Sequence, residues 1–296
     1  MALETISDGR GTTVTPPRTP VVPRRRRRAW GVTAAVSAIA AVLNLPLFFA
    51  LLTSFKSDAD IARSALRVPD TLTLEHYANA MGQAGYDFPR YFLNSTLISI
   101  GTVVTILVIC VPGAYAMGRL GLGRGHLLKG IAALRLIPVI FFAVPFFLLF
   151  SRTGLYDTIP GMVTANTFIS LPLGTLLVMS AIREVPHEIE EAAKLDGCSD
   201  YRIVARIVLP LLAPTLAAVA VLVFITAWSD YLFAVILTSS EATPVTVGAA
   251  NFVTSTGIRW GDISATTVLS VLPPLVFALF AQRYLVRGLS AGAIKG

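Results

Sequence analysis

Along this chain, long apolar stretches alternate with short polar segments, and that alternation predicts the architecture. Six stretches qualify as membrane-crossing helices: residues 30–53, 91–117, 128–150, 159–182, 211–237 and 263–285. A hydrocarbon core about 30 Å thick asks for about 20 mostly apolar residues in a helix. The expectation is an all-α membrane protein of six transmembrane helices, with residues 30–287 as the membrane domain. The polar segments differ in kind. Residues 56–90 form an outer loop with room for a short helix at 74–81, and a second outer loop covers 238–262. The inner loop 118–126 is short and glycine-rich. Spans three and four are joined by a tight turn at Gly154-Leu155-Tyr156-Asp157. The prolines at 138, 145, 172, 273 and 274 lie within spans and predict bends, because each removes a backbone hydrogen bond.

Composition agrees with this pattern. The chain is 54% hydrophobic and only 14% charged, against about 25% charged in soluble domains. Residues 1–23 are rich in Thr, Pro and Gly without apolar periodicity, and five arginines follow at 24–28. Residues 1–29 read as a disordered basic tail. The apolar stretch after the arginines is too long for a signal-peptide core, and no small-residue cleavage pattern closes it, so an uncleaved first helix is expected. The arginines read as a topology signal rather than a nucleic-acid site. With the N-terminus inside, 17 of the 24 Lys and Arg residues fall on the inner side, six on the outer side, and Arg135 within the third span. That asymmetry predicts two cytoplasmic ends, with 288–296 as a short cytoplasmic tail.

The same pass excludes several chemistries. Cys110 sits in an apolar run and Cys198 in a charged loop, so no disulfide framework is implied. The three histidines, His76, His126 and His187, are scattered without zinc spacing. No Gly-Lys-Ser/Thr phosphate loop is present, and no nucleophile–base set lies in the spans. The chain reads as non-enzymatic: no catalytic residues, no metal site, no bound cofactor, and no ATP hydrolysis of its own.

The inner loop 183–210 carries the most information. Pro186 suits a first helical turn, where its missing N–H costs nothing, and Glu188, Glu190 and Glu191 follow at the positive end of the helix dipole. Ile189, Ala192, Ala193 and Leu195 form an apolar face. Gly197 can end the helix in a left-handed conformation, and Ser199 or Asp200 can cap a second one. The predicted helix–turn–helix offers small residues for close approach and acids for charge pairing, either as a docking surface or as a solvated connector.

Here the chain resembles a known family. Glu191-Ala192-Ala193, three residues, Gly197, nine residues, then Ile207-Val208-Leu209-Pro210 is similar to the EAA signature of ABC importer permeases. The ending Gly292-Ala293-Ile294-Lys295-Gly296 resembles the tail of the maltose-type carbohydrate permeases, with isoleucine for valine. Asn94-Ser95, Ala114-Tyr115-Ala116, Pro138, Pro145 and Gly154-Leu155-Tyr156-Asp157-Thr158 also fit that family. The resemblance spans about residues 30–296. It implies the type I ABC importer permease fold in a cytoplasmic membrane. The loop 183–210 would be a coupling loop, with Glu191, Ala192, Ala193, Asp196, Gly197, Ile207, Leu209 and Pro210 contacting or shaping the ATPase contact. The implied partners are a second, homologous permease subunit, two ATPase subunits that bind ATP and Mg, and an extracytoplasmic solute-binding protein reached by the last outer loop. The implied cargo is a carbohydrate; a polyol or glycerol-phosphate ester is the nearest rival. An ion-coupled secondary transporter would leave the 183–210 loop unexplained, and no internal repeat is visible.

Polar residues inside the spans are candidates for the pathway, because a charge at the bilayer centre costs about 2.5–3.5 kcal/mol on insertion scales. Arg135 is one, read either as a ligand contact or as a snorkelling cation. Trp228, Asp230 and Tyr231 are others: a ring beside a carboxylate suits a sugar, while an interfacial anchor is the plainer reading. Asn94 reads more simply as helix–helix glue.

Overall fold

The computed structural model describes residues 26–64, 67, 69, 71–83, 86–123, 125–254 and 257–292. In chain order the helices are α1 Arg26–Ser54, α2 Asp58–Arg63, α3 Glu75–Ala78, α4 Phe88–Gly118, α5 His126–Ala133, α6 Ala143–Thr153, α7 Ile159–Glu184, α8 His187–Leu195, α9 Asp200–Ile203, α10 Leu209–Trp228, α11 Leu232–Leu237, α12 Val245–Gly248 and α13 Trp260–Gly292. A π-helical turn, Asn79–Gln83, extends α3, and a second, Val204–Val208, joins α9 to α10. The only strands among the described residues, β1 Val253–Thr254 and β2 Gly257–Ile258, pair antiparallel with Val253 opposite Ile258.

The chain divides into two compact units, Met1–Pro46 and Leu47–Gly296. In the first, the side chains from residue 30 to residue 46 are all exposed. A helix apolar on all faces suits lipid rather than water. In the second unit α4 lies along α7, and α10 packs against α4, α7 and α13. Glycines allow this approach. A Cβ on Gly101 would come within 2.8 Å of Val163 Cγ2, and one on Gly174 within 3.0 Å of Ile106 Cγ2 and 3.1 Å of Cys110 Sγ.

Among the described residues five helices are long and apolar enough to cross a membrane: Trp30–Ser54, Phe88–Gly118, Ile159–Glu184, Asp200–Trp228 and Trp260–Phe280. A sixth span results when His126–Leu136 and Val139–Thr153 are taken together, although the pair is bent by 101°. The third span is therefore not the continuous helix expected over 128–150. Proline explains the break: Pro138 has no N–H to donate and forces Ile137 out of the helical region, to φ −85° and ψ 122°.

The fifth span also differs from the expected 211–237. It starts earlier, running on from α9, and stops at Trp228. Ser229-Asp230-Tyr231 interrupt it, and Asp230 Oδ1 accepts the Phe233 N–H at 3.2 Å to open α11. The expected outer helix at 74–81 corresponds to α3 and its π-helical extension. Two expected boundaries shift as well. Residues 26–29 are already helical, and α13 continues through Gly292 into the expected tail. The remainder of both tails, 1–25 and 293–296, lies outside the described residues.

Candidate functional site

The loop 183–210 folds into the helix–turn–helix that its sequence predicts. Val185 is extended, Pro186 precedes the first turn of α8, and Glu188 and Glu190 lie in that turn. Gly197 ends the helix at φ +80°. Its N–H donates to Lys194 O at 3.0 Å, and the Cys198 N–H donates to Ala193 O at 3.0 Å. These two bonds make a Schellman turn, whose left-handed residue is best filled by glycine. Ser199 takes an extended cap conformation, though its hydroxyl makes no capping bond to α9.

Burial sorts the signature residues by role. Ala193, Ile203 and Val208 are buried in a core shared with α4 and α7, and Ile207 and Leu209 pack against its edge. Glu191, Ala192, Asp196, Gly197 and Pro210 are exposed. Leu195 is 90% exposed and Tyr201 84%. Large side chains this exposed, one on either side of the Gly197 turn, are available to a covering partner. The Lys194–Asp200 pair at 3.4 Å is exposed on both sides and stabilises the turn little.

Three residues that sequence reasoning did not select hold this loop from behind. Glu190 is buried, unlike its neighbour Glu191. Arg119 Nε lies 2.8 Å from Glu190 Oε1, and the Tyr115 hydroxyl donates to Glu190 Oε2 at 2.9 Å. The Arg119 contact is an ion pair rather than a linear hydrogen bond. Arg119 also donates to Val185 O and, at 2.7 Å, to His187 Nε2. Guanidinium has no acceptor, so the histidine nitrogen must accept. The only hint in the sequence was an acid on the inward face of an amphipathic helix.

The expected pathway residues do not converge on one site. Arg135 lies at the break of the third span and lines a cavity of about 270 Å³ with Phe142, Phe168, Ser170 and Thr226. The Ser170 hydroxyl is buried there without a hydrogen-bond partner among the described residues. Trp228 lines a different cavity, of about 590 Å³, with Ser229, Thr246, Thr267, Ser270 and Pro274. Its ring is buried, stacks on Phe224 at 5.7 Å and donates from Nε1 to Ser270 O at 3.1 Å. Asp230 is engaged internally: Oδ2 accepts from Asn166 Nδ2 at 3.2 Å, and its carbonyl accepts from the Thr246 hydroxyl at 2.7 Å. Tyr231 is half exposed. Asn94 donates from Nδ2 to both Glu241 O and Thr243 O at 2.9 Å.

Asn94 thus belongs to a second structured region, around the segment that follows α11. Ser95 Oγ accepts the Val245 N–H at 2.9 Å, and Arg90 pairs with Glu241. From the other side Asp157, at φ +55°, receives the N–H groups of Ser239, Ser240, Glu241 and Ala242 at 3.0–3.1 Å. Desolvation pushes the Asp157 carboxyl up. The main-chain bonds from Glu241, Ser239 and Ala242 and the Ser239 hydroxyl outweigh it and hold the group well below the usual carboxylate range.

Residues 99–291 match the model of the family described as binding-protein-dependent transport system inner membrane component. The chain belongs to this family. As a member it is an inner-membrane component of a binding-protein-dependent ABC transport system, which agrees with the expectation drawn from the 191–210 signature. Among similar proteins is the trehalose transport system permease protein SugB of Mycobacterium tuberculosis, 34% identical over 276 residues, covering 92% of this chain and 99% of that protein. Another is the trehalose/maltose transport system permease protein MalG of Thermococcus litoralis, 34% identical over 262 residues, covering 87% and 94%. In fold the permease resembles a chain of a bacterial ABC transporter involved in import of the acidic polysaccharide alginate, with TM-score 0.68 and 24% identity over 90% of this chain and 100% of that one.

Proposed function

We propose that this permease carries a carbohydrate across the inner membrane by alternating access, coupled to ATP hydrolysis in partner subunits and without catalysis of its own. The observation that carries the reading is the 34% identity to the trehalose permease along nearly the full length of both chains. The Lys and Arg asymmetry supports two cytoplasmic ends and puts the loop between α7 and α10 inside. There, Glu191, Leu195 and Tyr201 form the docking patch for an ATPase subunit that holds ATP and Mg. Ala192, Asp196, Gly197 and Pro210 shape its surface, and Ala193, Ile207 and Leu209 seat it on the spans. A second, homologous permease subunit completes the pathway. The outer segment 239–245, pinned by Asp157, Asn94 and Ser95, presents a preformed surface to the solute-binding protein.

Of the polar residues in the spans, Arg135 has the strongest support as a substrate contact. It sits where a helix is broken at membrane depth, and such irregular backbone persists where it lines a cavity. Trp228 and Tyr231 lie along the second cavity and its rim. Asp230 and Asn94 act by holding the helices and the loop that frame the path.

The test is uptake by the complete assembly in proteoliposomes. Labelled trehalose and maltose are expected to accumulate only with binding protein, ATPase subunits and ATP present, and to do so in the presence of an ionophore. Accumulation that an ionophore abolishes, or uptake of a glycerol-phosphate ester in place of either disaccharide, would refute the reading.

A further inference from the structure

Glu190 and Glu191 are adjacent on α8, yet one is buried and the other exposed. A buried carboxylate requires a partner, and here the partner comes from outside the loop. Arg119 follows the last residue of α4, and Tyr115 lies one turn before it; together they enclose Glu190. Arg119 also grips Val185 and His187, so the linker before α8 and its first turn are held at three points by a helix that is not adjacent in sequence. By chain connectivity α8 should move with α7 and α10. By its buried contacts it is fastened to α4.

The far end of α4 is fastened as well. Asn94 and Ser95 take the Glu241 and Thr243 carbonyls and the Val245 N–H. Both attachments sit on one helix of 31 residues, and at about 1.5 Å per residue the stretch between them rises roughly 30–38 Å. We propose that α4 is a strut that links the coupling helix to the outer loop 241–245, with Arg119 and Tyr115 as the positioning residues that join α8 to it. This inference rests on the reading that α8 docks an ATPase. A displacement of α8 is delivered through the Glu190 latch to α4, and through Asn94 and Ser95 to the outer surface. A buried ion pair is weak evidence for stability alone, because apolar residues of like volume serve as well. Its use here is to fix orientation.

The experiment uses the full assembly with its ATPase and binding-protein partners, in a Cys198→Ser background carrying Leu195→Cys as a crosslinking probe on the exposed tip. Arg119→Ala is expected to leave crosslinking to the ATPase in place and to lower sugar delivered per ATP hydrolysed by about tenfold or more. Arg119→Lys should recover part of that ratio, and the exchange of Arg119→Glu with Glu190→Arg should recover more than either single change. If Arg119→Ala fails to assemble, the near-isosteric Glu190→Gln and Tyr115→Phe are expected to lower the same ratio. Intact crosslinking with an unchanged ratio in these variants overturns the strut alone. A Leu195→Cys protein that never crosslinks to the ATPase overturns the docking reading and the strut with it.

Discussion

Asp157 accepts two hydrogen bonds from Ser239, one from its main-chain N–H at 3.0 Å and one from its hydroxyl at 2.8 Å. The pair ties the turn between α6 and α7 to the segment that follows α11. With Ser240, Glu241 and Ala242 also donating, the carboxylate acts as a cap for four successive N–H groups. Asp157→Ala is expected to free this segment at a cost on the order of 2 kcal/mol locally. Limited proteolysis within 239–242 should speed up, and the apparent affinity of the assembly for its binding protein should fall. Asp157→Asn, which keeps one acceptor oxygen, should fall between.

The same anchor predicts a pH response. The folded carboxyl titrates below the usual range, whereas a free aspartate titrates near about 3.9. A depressed folded value contributes stability that is complete above the unfolded value and is lost as pH falls through the folded one. Protease resistance at 239–242 is therefore expected to be unchanged between about pH 7 and about pH 5. Loss of resistance across that interval in the wild-type chain, absent from Asp157→Ala, would contradict the anchor.

Gly197 stands at φ +80° with open space around its missing Cβ, so substitution there tests conformation rather than crowding. Gly197→Ala should cost about 1–2 kcal/mol in the turn, and Gly197→Asn less. Uptake is the measurement. Equal uptake by the alanine and glycine proteins would show that the Schellman turn does not limit docking.

Gly174 tests crowding instead. A Cβ there meets Ile106 and Cys110 of α4, so Gly174→Leu must part α4 from α7 at about 1–3 kcal/mol or more. Thermal stability of the purified permease should drop for Gly174→Leu, while Gly113→Ala, where a Cβ meets nothing within 4 Å, should leave it unchanged.

Arg135→Ala should reduce uptake by roughly tenfold without lowering the amount of assembled complex, because its guanidinium lines a cavity rather than a packed core. Trp228→Phe keeps the aromatic stack with Phe224 but loses the bond to Ser270 O. A stability loss of about 0.5–1.5 kcal/mol in denaturant titration is expected.

Much of this was legible along the chain. Five spans among the described residues follow from apolar length alone, and a sixth when the bent pair around Pro138 is taken as one. The turn at Gly197 follows from a glycine that ends an amphipathic run. The break in the third span was signalled by Pro138, but its size was not. Proline marks where a helix loses a hydrogen bond, while the angle depends on what packs into the gap. Asp230 illustrates the opposite case. A carboxylate inside an apolar run looks like a ligand group, yet its oxygens are taken by Asn166 and the Phe233 N–H. Those partners, 64 residues away in one case, leave no trace in local spacing.

The sequence by itself determined the solvent, the family and the position of the 191–210 signature, because hydropathy and a spaced signature are local or periodic properties. Tertiary structure alone decided which acid of that loop is buried and which is offered outward, since that depends on Arg119 and Tyr115 arriving from another helix. It also decided that Asn94 and Asp157 converge on one segment, 239–243. Pairings across some 70 to 150 residues are set by how α4, α7 and α10 pack, and helix packing is a property of surfaces in contact rather than of order along the chain.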